Sequence, residues 1–174
     1  MIAVLVGRFS PLHIGHQMII DYMVKRHGVE NCLILVGSSN SISDRTPYTF
    51  DERLKMVHLL YPKIKVLPLP DVEPELEYFS DNTNEIWLDN IEKIEKDIGD
   101  KFIFYGGSKE DLKILSRRFD TKMAVDRNRE GKDISATKIR EAIADSDYKC
   151  IDKLVNKKIS KLVAEIGQGT KDKF

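Results

Sequence analysis

The stretch Gly7-Arg8-Phe9-Ser10-Pro11-Leu12-His13-Ile14-Gly15-His16 decides how the rest of the chain is read. Before it lies a short apolar run, Ile2 to Val6, with the character of a buried strand; after it, Gln17 to Arg26 has the spacing of a helix. Two histidines, an arginine and two glycines are therefore concentrated in one strand-to-helix turn. A parallel α/β protein binds phosphates at such a turn, because N–H groups at the helix start point outward and the helix dipole favours negative charge there. Gly15 is expected to let an anion approach the backbone, having no Cβ in the way. His13 and His16, three residues apart, fall on one side of the first helical turn. Both imidazoles can donate, Arg8 adds a charged fork, and three donors about one turn suit a triphosphate. The plainer readings are a single satisfied, buried histidine or a metal pair. A metal pair needs a third ligand, and His27 and His58 lie in predicted helices without partner spacing, so no metal site is expected.

The chain has 174 residues, the usual size of one domain, with 41% hydrophobic and 32% charged side chains, as in a water-soluble globular protein. Basic and acidic residues balance at 28 each, so no global field draws it to nucleic acid or to a membrane. The lysines near the C-terminus (Lys153, Lys157, Lys158, Lys161, Lys171, Lys173) read as a solvated helix face and a frayed tail. Cys32 and Cys150 are too few for a disulfide framework, and Cys32 reads as a buried, inert thiol at the start of a strand. The opening apolar run is too short for a signal-peptide core, and no run approaches a membrane span. A cytoplasmic protein is expected.

Apolar strand-like runs recur at Ile2–Val6, Cys32–Val36, Lys65–Leu69, Lys101–Tyr105 and Lys122–Val125. Helical spacing separates them at His16–Arg26, Phe50–Leu60, Asn82–Ile98 and Lys109–Phe119, and two further helices follow, about Ser135–Ala144 and Tyr148–Ile166. Alternation of this kind predicts an α/β fold: a single Rossmann-like, doubly wound, parallel five-stranded sheet with helices on both faces and C-terminal helices. Residues 1–166 are expected to form one domain and 167–174 a tail. The loops Gly37–Thr49 and Pro70–Thr83 both follow strands, which puts them at the carboxyl edge of the sheet, beside the first turn, where open α/β sheets bind ligands.

A second motif, Asp133-Ile134-Ser135-Ala136-Thr137-Lys138-Ile139-Arg140, follows the fifth strand. Taken alone it is an ordinary helix start with Ser135 as N-cap. At the carboxyl edge it supplies a second helix N-terminus, two hydroxyls and an arginine, with Arg140 on the face of Thr137.

His-Ile-Gly-His after Gly-Arg-Phe, paired with Ile-Ser-Ala-Thr-Lys-Ile-Arg over a hundred residues later, resembles the nucleotidylyltransferase superfamily with its HIGH-type turn and ISSTxxR-type helix start. Val36-Gly37-Ser38-Ser39-Asn40, Thr46-Pro47-Tyr48-Thr49-Phe50-Asp51-Glu52-Arg53, Pro70-Asp71-Val72, Asn84-Glu85-Ile86-Trp87 and Tyr105-Gly106-Gly107-Ser108 narrow the likeness to archaeal-type nicotinamide mononucleotide (NMN) adenylyltransferases. The resemblance implies that Gly7, Arg8, Phe9, His13, Gly15 and His16 bind ATP, joined by Gly106 and Gly107 at the adenosine and by Ser135, Thr137 and Arg140 at the triphosphate. His16, His13 and Arg140 would be catalytic. The acceptor would be bound by Ser38, Arg53, Asp71, Asn84 and Trp87, with the indole stacked on a cationic pyridinium and Arg53 facing the mononucleotide or the transferred phosphate. Trp87 also suits a helix core, Glu52-Arg53 an exposed pair, and Gly106-Gly107 a plain turn. Ser10 and Ala136 depart from the glutamine and serine of the family pattern; neither change removes a charge.

The implied reaction moves AMP from ATP to NMN, giving NAD and pyrophosphate, with Mg²⁺ carried in on the ATP, no nucleic-acid or membrane partner, and a homo-oligomeric state. Another acceptor (phosphopantetheine, or a cytidylyl transfer) and a nucleotide-binding regulator without turnover are the competing functions.

Overall fold

A computed structural model describes residues 1–74, 80–125 and 134–169. Five strands, β1 (Ile2–Gly7), β2 (Cys32–Gly37), β3 (Lys65–Leu69), β4 (Phe102–Gly106) and β5 (Asp120–Met123), form one parallel sheet in the order β3-β2-β1-β4-β5. The chain winds outward from β1 to β3 and then returns to place β4 on the other side of β1. The order therefore reverses between β1 and β4, where ligands of doubly wound sheets bind.

Side-chain alternation makes two cores. Ala3 and Leu5 of β1, with Cys32, Ile34 and Val36 of β2, face one layer; Val4, Leu33 and Leu35 face the other. The first layer is built by α1 (Ile14–His27), α2 (Phe50–Leu60), α5 (Ala136–Ala144), α6 (Tyr148–Leu154) and α7 (Lys157–Gly169). The second contains α3 (Asp81–Ile98), which contributes Leu88 and Ile91, and the single turn α4 (Lys109–Leu112). This is the doubly wound arrangement expected from the alternating pattern. Pro68 lacks a ladder N–H, and it stands in β3, an edge strand where that loss is tolerated.

The structure differs from the sequence reading in three elements. The expected helix Lys109–Phe119 is one turn of α4 followed by a 3-10 turn, Leu115–Arg117, because Leu112 and Leu115 are pulled onto the sheet core just before the chain enters β5. The last expected helix is two. Val155 is extended and buried, and Asn156 Oδ1 accepts the Lys158 N–H to start α7. The fifth strand begins earlier, at Asp120, and its polar, largely exposed sequence marks the other edge of the sheet. Cys32 Sγ donates to Gly28 O, and burial pushes its pKa up to about 11, so the thiol is held protonated. No helix among the described residues is long and apolar enough to cross a membrane.

Candidate active site

The turn after β1 is fixed by its two histidines. His13 is the N-cap of α1: its Nδ1 accepts the His16 N–H at 3.3 Å, and His16 Nδ1 accepts the His13 N–H at 3.3 Å. This is a capping box made of imidazoles. Accepting through Nδ1 requires that nitrogen to be unprotonated, which leaves the ring proton on Nε2 as the donor of each ring. The rings stack at 3.7 Å between centroids, and His13 is 3% exposed.

Gly15 makes room for this stack. A Cβ there would lie 3.0 Å from His13 Cε1 and 3.1 Å from its Nδ1, so the missing side chain has a packing role beside the His13 ring that the sequence does not reveal. Phe9 is likewise inside the fold, fully buried, with its ring 4.6 Å from that of His16 and against Gly7. Its contribution is to hold His16 from behind. Arg8, between them, is exposed.

The second motif meets the first. Ile134 Cγ2 lies 3.6 Å from the Cβ position of Gly15. Ser135 caps α5 by accepting the Lys138 N–H at 3.2 Å. Arg140 crosses to the first turn, donating from Nη1 to Ser10 O at 2.9 Å and from Nη2 to Thr137 Oγ1 at 3.2 Å. Burial lowers the Arg140 pKa, and the neighbouring charges of Arg8 and Arg45 lower it further. Cations held this close favour a polyanion between them. Asp133 lies outside the described residues.

Beside this cradle a cavity of about 410 Å³ opens along the carboxyl ends of β1, β2 and β3. Gly7, Arg8, Gly37, Ser38, Asp71, Asn84 and Trp87 line it, so the expected acceptor residues converge here with one exception. Trp87 is half-buried, packed partly on the α3 core and partly facing the cavity. Asn40 holds Asp71 in place through a reciprocal pair: its Nδ2 donates to Asp71 O at 3.0 Å and its Oδ1 accepts the Asp71 N–H at 2.8 Å. Val72, from the marked stretch Pro70-Asp71-Val72, lines the cavity too, as do Thr83, Glu110 and Asp111; nothing in the local sequence singled out these last three, because their place depends on how α3 and α4 meet. On the outside, Arg117 of the 3-10 turn and Arg118 just after it tie this segment to α3. Arg117 reaches Asp81 at 3.1 Å and Glu85 at 3.2 Å, and Arg118 reaches Asp89 at 2.6 Å.

The exception is Arg53. It is completely buried and lies behind the cavity wall, its guanidinium bonded to backbone carbonyls, and it is not among the residues that line the cavity. Gly106 also has a packing explanation: a Cβ there would meet Leu112 Cγ at 2.8 Å. Gly107 is buried directly after β4. The described residues contain no cluster of histidine, cysteine, aspartate or glutamate able to hold a metal ion.

A phosphate-binding turn facing a second helix start, at the switch point of a parallel sheet, defines a nucleotide-binding α/β domain. The model of the Cytidylyltransferase-like family matches residues 4–142, and the chain belongs to that family. Among curated relatives, a probable nicotinate-nucleotide adenylyltransferase of Fusobacterium nucleatum is 28% identical over 93% of this chain and 96% of its own. A nicotinamide-nucleotide adenylyltransferase of Saccharolobus solfataricus is 35% identical, over 38% of this chain and 42% of its own. The solved bifunctional NMN adenylyltransferase/ADP ribose pyrophosphatase of Francisella tularensis, complexed with AMP and a manganese ion, shares the fold with a TM-score of 0.64 at 21% identity. That match covers 97% of this chain and 51% of the Francisella chain, so this chain spans about half of that protein.

Proposed function

We propose that this protein transfers AMP from ATP to NMN, forming NAD and releasing pyrophosphate. The observation that carries the reading is the Arg140 bridge to Ser10 O, which joins the two phosphate motifs into one clamp beside a cavity walled by Trp87 and Asn84. The name of the Saccharolobus relative supports NMN as the acceptor, while that of the Fusobacterium relative points to its acid form, so a pyridine mononucleotide is the acceptor class on which the two agree.

In the reaction an oxygen of the NMN phosphate attacks the α-phosphorus of ATP in line. The new P–O bond forms as the bond to the β-phosphate oxygen breaks, and pyrophosphate departs with that electron pair. A phosphate oxygen is already ionised near neutral pH, so no general base is required. What the site must supply is positioning and stabilisation of negative charge. His13 and His16 offer Nε2–H donors fixed by their mutual capping. Arg140, held by Ser10 O and Thr137, and the exposed Arg8 offer positive charge to the triphosphate. Ser135 and Thr137 stand at the start of α5, whose dipole favours the same anion. The indole of Trp87 suits the cationic pyridinium of NMN. A divalent cation such as Mg²⁺, entering on the ATP, would neutralise charge on the leaving phosphates.

An acceptor panel tests the reading: NMN, nicotinate mononucleotide, phosphopantetheine and small phosphoalcohols, each with ATP and with CTP, followed by pyrophosphate release. Release with NMN and ATP is expected. Release only with another acceptor, or only with CTP, would reassign the substrate, and ATP binding without release from any pair would make the protein a nucleotide-responsive regulator.

A further inference from the structure

Arg53 heads the fully buried side chains by volume. A cation removed from water normally rests on a carboxylate. Among the described residues no carboxylate bonds to Arg53; Asp71 and Glu52 act on it only through space, and its donors end on backbone carbonyls from three separate segments. Nη1 donates to Arg8 O and Gly37 O, both at 2.9 Å; Nη2 donates to Ser38 O at 3.0 Å; Nε donates to Thr49 O at 3.2 Å. The first carbonyl follows β1, the next two end β2, and the last belongs to the N-cap of α2. Burial lowers the guanidinium pKa to about 10, which leaves it charged at neutral pH.

The backbone it grips is strained. Phe9, directly after Arg8, has φ +49°, and Ser38 also has φ +49°, a region that residues with a Cβ rarely enter. Such conformations persist only where the surroundings over-determine them, and they concentrate at functional sites. Arg8 and Ser38 both line the cavity. Fixing their carbonyls from behind fixes the wall that they present in front. A lysine could not substitute, since one ammonium on a flexible stem does not reproduce a planar fork spanning several carbonyls.

We infer that Arg53 is a positioning residue. It clamps the chain reversals after β1 and β2 so that Arg8 and Ser38 stand correctly at the cavity, and it does not itself touch a substrate. The inference rests on reading that cavity as the reaction site. It assigns to Arg53 a role through Arg8 that differs from the direct phosphate contact implied by family resemblance.

A double-mutant cycle of Arg53→Lys with Arg8→Ala tests this, read both on kcat/KM for NAD formation and on the ATP dissociation constant. Misplacing the wall by about 1 Å is expected to lower kcat/KM about 10²-fold when Arg53→Lys is made in the native background. In the Arg8→Ala background the same change should cost only a few-fold, because the group being positioned is gone. Additive losses would overturn the inference and restore a direct contact. Rescue provides a second measurement: guanidinium chloride at tens of millimolar should restore turnover to Arg53→Ala, while methylammonium should not. Equal rescue by both, or by neither in a folded variant, counts against the clamp. Should these variants fail to fold, the native protein still decides. Phenylglyoxal should modify Arg8 and spare Arg53 in the free enzyme, and modification of Arg53 there would refute its burial behind the wall. Native protein that binds ATP but forms no NAD would defeat the proposed function alone, leaving the ATP cycle to judge Arg53.

Discussion

His13 and His16 hold each other's backbone N–H through Nδ1, so the same two side chains start α1 and keep the ring donor at Nε2. The two jobs of His16 can be separated by choosing the replacement. His16→Asn places an amide oxygen near the former Nδ1 and can keep the cap, but it removes the Nε2 donor. Turnover should fall about 10²–10³-fold, the usual scale for one lost transition-state donor, while the melting temperature stays within a few degrees. His16→Ala loses the cap as well and should add about 1 kcal/mol of destabilisation. Calorimetry beside steady-state kinetics checks both; near-native turnover of His16→Asn would remove His16 from the chemistry. Trp87 divides similarly between core and cavity. Trp87→Ala should raise KM for NMN at least tenfold more than KM for ATP. Equal shifts in the two constants would mean that the indole only packs.

At the scale of elements, α1 ends as informatively as it starts. His27, its last residue, pairs its Nε2 with Tyr105 Oη of β4 at 2.8 Å, and burial followed by the Arg26 charge lowers its pKa below 6.5. The unfolded chain therefore takes up this proton first as pH falls. The His27 contribution to stability is complete above about pH 6.5 and is lost below it, down to the folded-state pKa. The urea midpoint should drop over that interval, and His27→Gln should flatten the drop; an unchanged slope would show that His27 titrates alike in both states. The strands and the two phosphate motifs were legible in sequence because each is local: an apolar run, or a helix start with its capping residues. Arg53 was not. Glu52-Arg53 looks like an exposed helix pair or a ligand contact, and only the convergence of the Arg8, Gly37 and Ser38 carbonyls reveals a buried fork. The α4 region fails for the same reason: Leu112, Leu115 and Phe119 have helical spacing, yet Leu112 fills the space above Gly106 and the chain tightens into a 3-10 turn. Local pattern yields to packing wherever a partner distant in sequence sets the geometry.

Across the whole molecule, the C-terminal helices form the buttress of α5, the helix that carries Thr137 and Arg140. Ile139 and Ile143 of α5 share a core with Ile159 and Val163 of α7, and Tyr48, just before α2, reaches across to donate to Val163 O at 2.9 Å. Tyr48 is fully buried, and burial raises the pKa of its hydroxyl, which keeps it a donor at neutral pH. Gly167 closes this joint. A Cβ there would lie 2.8 Å from Tyr48 Oη and 2.9 Å from Ile143 Cδ1. Tyr48→Phe removes one neutral hydrogen bond and should cost about 1 kcal/mol, or about 2–4 °C in melting temperature for a domain of this size. Gly167→Ala forces overpacking and should cost about 1–3 kcal/mol. The two effects share an atom, so they should not add: with the hydroxyl gone, the new methyl keeps only its contact with Ile143, and the double variant should melt higher than the sum of the single losses predicts. Thermal denaturation of the four proteins decides it. Strict additivity would mean that the helix yields without feeling Tyr48, and that the α7 buttress is not built on this joint.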